Sequence, residues 1–286
     1  MIILYPINTH SGISGITNMD KSHTRLCRQG CFAFTRRAGA YTLISMAAFS
    51  RSKALFHKEI CAMGEVKRLK YCIDGEWLES KAERYMPITD SSTGELIAEA
   101  PCCTKEEAEA AIESADRAFP AWSSLSISKR QQYMFTWRDV LVRHKEELSL
   151  LCAKELGKTI GEARGDVQKA IEPTELACSL PALIQGDASM NVTTGYDSTS
   201  YRFPLGVVAG IVPMNFPAMI PWGWMVPLAI ATGNTVVLKA NSQTPLTSIR
   251  ILELFYEEAG FPKGVVNLVT CGRQEAEIFL TYPRIK

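Results

Sequence analysis

The first charge after the uncharged run of residues 203–238 is Lys239, and inside that run, in "VPMNFPAMIPWGWMVP", lies Asn215. A carboxamide N–H at the end of a strand can donate to an anion forming above a sheet, as an oxyanion-hole donor does. The same residue before Phe216-Pro217 also suits a helix cap, and both readings stand. An ammonium at the end of "NTVVLKA" can hold a cofactor hydroxyl or phosphate, or it can be the solvated end of a strand. Metal and disulfide chemistry are poorly served. The nine cysteines, Cys27, Cys31, Cys61, Cys72, Cys102, Cys103, Cys152, Cys178 and Cys271, are odd in number, irregularly spaced and without a CxxC pair. Adjacent Cys102 and Cys103 read as reduced thiols, and the cysteine usage as that of a reducing compartment.

The elements that must position these residues start near Lys67. "YCIDGEWLES" reads as a hairpin about Asp74-Gly75, and a turn at Ser92-Thr93-Gly94 leads into a strand over residues 95–98. Thr104 and Glu107 form a capping box ahead of apolar residues at helical spacing. A longer helix is expected over residues 128–156 with Gly157 as its stop, then a third over 162–183 kinked or broken by Pro173 and Pro181. A polar strand in "TSYRFP" precedes an apolar one at residues 207–212. A helix of about a dozen residues with Pro217 in its first turn follows, then a strand over 234–240. Next come a helix with Thr244 as N-cap and Pro245 in its first turn, and a strand over 264–269. Strand, helix, strand, helix, strand at this spacing is a βαβαβ unit, half of a doubly wound parallel sheet. Ligands in such sheets sit outside the carboxyl ends of the strands, where Asn215 and Lys239 fall. No GxGxxG follows the first strand, so an ordinary dinucleotide fingerprint is absent.

Composition narrows the classes further. A net charge of +1 with no basic stripe interleaved with aromatics gives no reason to expect nucleic acid. The uncharged run is cut by prolines and by Gly233-Asn234, so it reads as buried strands and a helix and no membrane span is expected. Residues 1–66 form a basic extension: eight Lys or Arg lie between Lys21 and Lys58 with no Asp or Glu. That is the composition of a mitochondrial transit segment, or equally of a disordered basic tail, and localisation is left as mitochondrial or cytoplasmic.

"PLGVVAGIVPMNFPAMIP", "ATGNTVVLKA" and "EEAGFPKGVVNLV" together resemble the aldehyde dehydrogenase superfamily. "ELGKTIGEARGDV", "ELACSLPALIQG" and "AIESADRAFPAWS" are most similar to its methylmalonate-semialdehyde dehydrogenases, the CoA-acylating branch. The resemblance runs over about residues 69–286, so residues 67–286 are expected to be the N-terminal, cofactor-binding region of that fold. The implied architecture is α/β, a partial Rossmann-like doubly wound parallel sheet with the catalytic domain missing.

The resemblance implies an NAD-linked oxidation of a small-molecule aldehyde. A cysteine attacks the carbonyl, hydride leaves for the nicotinamide, and the thioester passes to CoA as acyl acceptor. It implies that Asn215 donates to the developing oxyanion, that Lys239 holds the adenosine ribose, and that Val212 and Met214 line the cofactor cleft. It also implies that full-length members are homo-oligomers. Three departures carry weight. Where an acidic residue commonly follows the lysine by three, this chain has Ser242 and then Gln243, which admits NADP beside NAD. Where methylmalonate-semialdehyde enzymes tend to place an arginine after "GDV", Lys169 stands as the candidate partner of a substrate carboxylate, without the bidentate grip of arginine. Finally, none of the nine cysteines has the nucleophile's context, Cys271 reading as structural or cleft-lining. The chain is therefore expected to be inactive alone. The alternative is a non-catalytic truncated paralogue or fragment that binds nucleotide, or pairs with a full-length subunit through the hairpin strand near residues 196–203.

Overall fold

The computed structural model describes residues 66–286; the reading of residues 1–66 as a basic extension falls, Val66 apart, outside them. Strand β1 (Lys67–Arg68) leads into the hairpin β2 (Tyr71–Ile73) and β3 (Glu76–Leu78). Its two turn residues, Asp74 (φ 54°) and Gly75 (φ 69°), both take the left-handed conformation that matches the twist of a two-residue hairpin. Strands β4 (Tyr85–Thr89) and β5 (Leu96–Pro101) join β1 in a three-stranded sheet ordered β1-β5-β4.

Helix α1 (Lys105–Ser123) begins with the expected capping box, Glu107 N–H on Thr104 Oγ1 and Thr104 N–H on Glu107 Oε2. The single long helix expected over 128–156 is two, α2 (Ile127–Arg143) and α3 (Lys145–Leu156), separated at His144. The imidazole there lies 2.7 Å from Glu147 on one nitrogen and 2.7 Å from Glu258 on the other, which fixes the residue between two elements. Gly157 ends α3 in the left-handed conformation.

Helix α4 (Ile160–Ala177) runs through Pro173 unbroken, and the break comes at Cys178-Ser179, ahead of the short α5 (Leu180–Leu183) with Pro181 in its first turn. Pro173 has no N–H to offer the carbonyl of Lys169, four residues back. That carbonyl instead faces Gly223, where a Cβ would fall far inside contact distance of it. The lost helical bond and the missing side chain thus occupy the same point.

Strands β6 (Ala188–Thr193) and β7 (Tyr196–Thr199) make an exposed hairpin. The polar strand expected in "TSYRFP" therefore stops at Thr199. Residues 200–206 peel away because the Arg202 guanidinium donates to the carbonyls of Leu183 and Gln185, while the Leu205 and Gly206 N–H groups donate to Asn234 Oδ1.

The βαβαβ unit is present. Strands β8 (Val207–Ile211), β9 (Thr235–Ala240) and β10 (Val266–Thr270) are parallel, with Val208 beside Val236 and Leu268 beside Leu238. The β2–β3 hairpin adds antiparallel to β10, giving the order β3-β2-β10-β9-β8. Between β8 and β9 a π-helical segment, Ile220–Met225, runs directly into α6 (Val226–Ala231). Val226 N–H reaches back to Pro221 O, a five-residue step, and Pro227 next to it has no N–H with which to restore the ordinary ladder. Ile220 N–H donates to Phe216 O, so Pro217 lies in the opening turn.

Helix α7 (Leu246–Glu257) connects β9 to β10, but Thr244 is not its cap. Thr244 Oγ1 donates to Met214 O, and the first N–H groups of the helix go to the buried carboxyl of Glu155. Trp137, Trp222 and Phe255, all fully buried, pack where α2, α7 and the π-helical segment meet, and Trp122 of α1 belongs to the same core. No helix among the described residues is long and apolar enough to cross a membrane.

Candidate functional site

The carboxyl ends of β8 and β9 lie side by side because Val212 N–H extends the ladder to Lys239 O at 3.0 Å. Val212 is buried, while Met214 and Asn215 are exposed. Three contacts hold the loop after β8. Met214 O accepts from Thr244 Oγ1 at 2.9 Å, Asn215 O accepts from Lys158 Nζ at 2.7 Å, and Met219 N–H donates to Asp166 Oδ1 at 2.7 Å. Lys158 is itself anchored, 2.9 Å from Asp166 Oδ2 and 3.9 Å above the Phe216 ring. Asp166 also receives the Cys152 thiol at 3.4 Å. The backbone on both sides of Asn215 is thereby tied down, yet its carboxamide makes no hydrogen bond among the described residues. A donor left unengaged on a fixed backbone is available to an anion forming above the sheet.

Lys239, half-buried at the end of β9, has no carboxylate partner among the described residues. Ser242 Oγ lies 3.5 Å from Cys271 O, and Gln243 is exposed with its N–H on Asn241 Oδ1. No acid stands at position 242. Lys169 is placed elsewhere: its ammonium pairs with Glu172 at 2.7 Å on α4, both side chains half-exposed. The described cysteines are free. Burial pushes the Cys271 thiol up to about 11 despite the opposing pull of Lys239, and holds Cys72 and Cys103 at about 12. Cys152 and Cys178 are raised by burial as well. A thiol so raised is protonated near neutrality and a poor nucleophile.

Three residues of this frame were not singled out by sequence reading: Glu155, Lys158 and Asp166. All lie in "ELGKTIGEARGD", where two charges flank a helix-stopping glycine, a signal that resembles an ordinary solvated helix end. Glu155 has a measurable consequence. Its carboxyl is pushed from 4.5 to about 7 by burial, against the N–H groups of α7 that favour its charged form. The folded state therefore keeps a proton that the unfolded chain has already lost, and stability falls as pH rises between those values. Comparing urea unfolding of the wild type and Glu155→Gln from pH 4.5 to 7.5, the wild type should lose up to roughly 3 kcal/mol relative to the variant. A constant difference across that range would show that Glu155 does not titrate there.

A family model described as the aldehyde dehydrogenase family matches residues 77–286. The chain belongs to the aldehyde dehydrogenase family. It is 46% identical over 222 residues to a malonate-semialdehyde dehydrogenase of Bacillus cytotoxicus, covering 78% of this chain and 45% of the relative. Among solved structures, a methylmalonate-semialdehyde dehydrogenase from Oceanimonas doudoroffii superposes with TM-score 0.73 at 36% identity, over 77% of this chain and 45% of the other. A Sinorhizobium meliloti 1021 protein described as a methylmalonate-semialdehyde dehydrogenase and solved with NAD gives TM-score 0.74 at 33% identity, over 78% and 45%. The chain thus spans less than half the length of these aldehyde dehydrogenases. The residues present are compatible with a dinucleotide: Lys239 near the strand end has no carboxylate partner among the described residues, and the neutral Ser242 stands three residues on.

Proposed function

We propose that this chain is the cofactor-binding part of an NAD(P)-dependent aldehyde dehydrogenase that oxidises a semialdehyde to an acyl-CoA. The observation that carries this reading is the carboxamide of Asn215, unengaged among the described residues on a backbone that the Lys158–Asp166 pair holds just after β8, the strand whose carboxyl end lies next to that of the strand bearing Lys239. Asn215 donates to the oxyanion that forms when a thiolate adds to the aldehyde. Lys239 holds the adenosine ribose hydroxyls, and Val212 and Met214 form the floor on which the cofactor lies. Bound NAD supplies the hydride acceptor, and CoA takes the acyl group. The neutral Ser242 leaves room for a 2′-phosphate, so NADP competes with NAD. Lys169 is the residue on α4 that would meet a substrate carboxylate after leaving Glu172. No buried thiol of the described residues is activated for attack, and the chain is inactive by itself.

Calorimetric titration of the purified chain tests this reading. NAD should bind, and Lys239→Gln should weaken it about tenfold or more, the effect of losing a charged hydrogen bond. Ser242→Glu should weaken NADP by about tenfold relative to NAD, because a carboxylate repels the 2′-phosphate. Failure of both cofactors to bind, or indifference to Lys239→Gln, would overturn the cofactor assignment. Aldehyde-dependent NADH formation by the chain alone would overturn the inactivity.

A further inference from the structure

A cavity of about 490 Å³ opens between the start of α2 and residues 200–204, lined by none of the residues of the proposed cofactor site. Two arginines line it and no acid does. Arg130, 4% exposed, donates through Nε to Ala231 O and through Nη1 to the carbonyls of Ser123 and Leu125. Its Nη2 has no hydrogen bond among the described residues. Among the described residues its positive charge is met by carbonyl oxygens and no carboxylate, and burial lowers its proton affinity. Arg202 spends Nη1 on the carbonyls of Leu183 and Gln185 and pairs with no carboxylate among the described residues. Ser126, the N-cap of the 17-residue α2, contributes to the same wall, adding the positive end of a helix to two guanidinium groups that no carboxylate of the described residues neutralises. The rest of the lining is largely apolar, including Leu125, Ile127, Ile184 and Pro204.

We propose that this cavity binds a small organic anion, a carboxylate or phosphate monoester carried on an apolar body. The head group takes the free N–H groups of Arg130 and Arg202, and the body lies against Leu125, Ile127 and Ile184. A buried guanidinium without a counter-charge gains from such an anion what it lacks from the protein. The cavity is much larger than a bare oxyanion, and its apolar wall selects for the body.

The probes are benzoate, its neutral isostere benzamide, and inorganic phosphate, each titrated into the purified chain by calorimetry and followed by thermal melting at constant ionic strength. Benzoate should bind saturably and raise the melting temperature, benzamide should do neither, and phosphate should bind more weakly than benzoate. Arg202→Gln, on an exposed segment whose loss leaves the core intact, should weaken benzoate at least about tenfold. Lys239→Gln should leave it unchanged, which separates this cavity from the proposed cofactor cleft. Equal binding of benzamide, undiminished binding of benzoate by Arg202→Gln, loss of binding in Lys239→Gln, or no saturable binding at all would overturn the proposal.

Discussion

Asp166→Ala should destabilise the chain by about 3–5 kcal/mol, the cost of removing one partner of a buried ion pair and leaving the other uncompensated. Asp166 is 0% exposed and Lys158 18%. The substitution removes an acceptor from three donors at once: the Lys158 ammonium, the Met219 N–H and the Cys152 thiol. It also loosens the segment on which Asn215 sits, because Asp166 holds both the Met219 N–H and the Lys158 ammonium that donates to Asn215 O. Asp166→Asn keeps an acceptor for Met219 N–H and loses the charge, so its cost should be about half as large. Equilibrium urea unfolding of the three proteins gives the comparison. A loss below about 1 kcal/mol for Asp166→Ala would mean that water replaces the carboxylate and that the loop is not held this way.

Trp222→Ala is the second large effect, expected at about 3–5 kcal/mol. Trp222 is fully buried, with its ring centroid 5.9 Å from that of Trp137 and 6.1 Å from that of Phe255, so truncation opens a void that the surrounding helices cannot close. Trp222→Phe should cost less than about 1.5 kcal/mol, as a substitution that keeps most of the volume. The difference is sharpened by the indole Nε1, which is buried without a hydrogen-bond partner among the described residues, so phenylalanine sacrifices no bond to them and removes an unsatisfied donor. Thermal unfolding followed by circular dichroism would rank the pair, and equal losses for the two variants would contradict the packing assigned to the indole.

Local rules carried much of the fold. The capping box at Thr104 and Glu107, the stop at Gly157, the Asp74-Gly75 turn and the alternation of strands and helices after residue 206 are all properties of neighbouring residues. The positions of Asn215, after β8, and Lys239, near the end of β9, were legible for the same reason, and the roles given to them remain part of the proposal. What escaped depends on partners remote in sequence. Lys158 is 57 residues from Asn215 and Glu155 is 91 from Leu246, and a charged residue near a helix end reads as solvated until its partner is known. The N-cap expected of Thr244 failed because Glu155 arrived from another helix to take those N–H groups, releasing the hydroxyl to Met214. The break at His144 has a similar origin in Glu258, which lies on the far side of the sequence. The π-helical segment is the intermediate case: Pro221 and Pro227 were visible, but their effect on the hydrogen-bond register appears only once the helix is packed.

The meeting of Pro173 and Gly223 bears on how this sequence can change. A carbonyl that Pro173 leaves without its helical donor projects to the point where residue 223 has no side chain. Returning an N–H at 173 would draw that carbonyl back into its own helix and relax the demand for glycine opposite, whereas enlarging 223 first would meet the carbonyl directly. The two positions are therefore epistatic, and the order in which they are altered decides whether a lineage passes through an overcrowded intermediate.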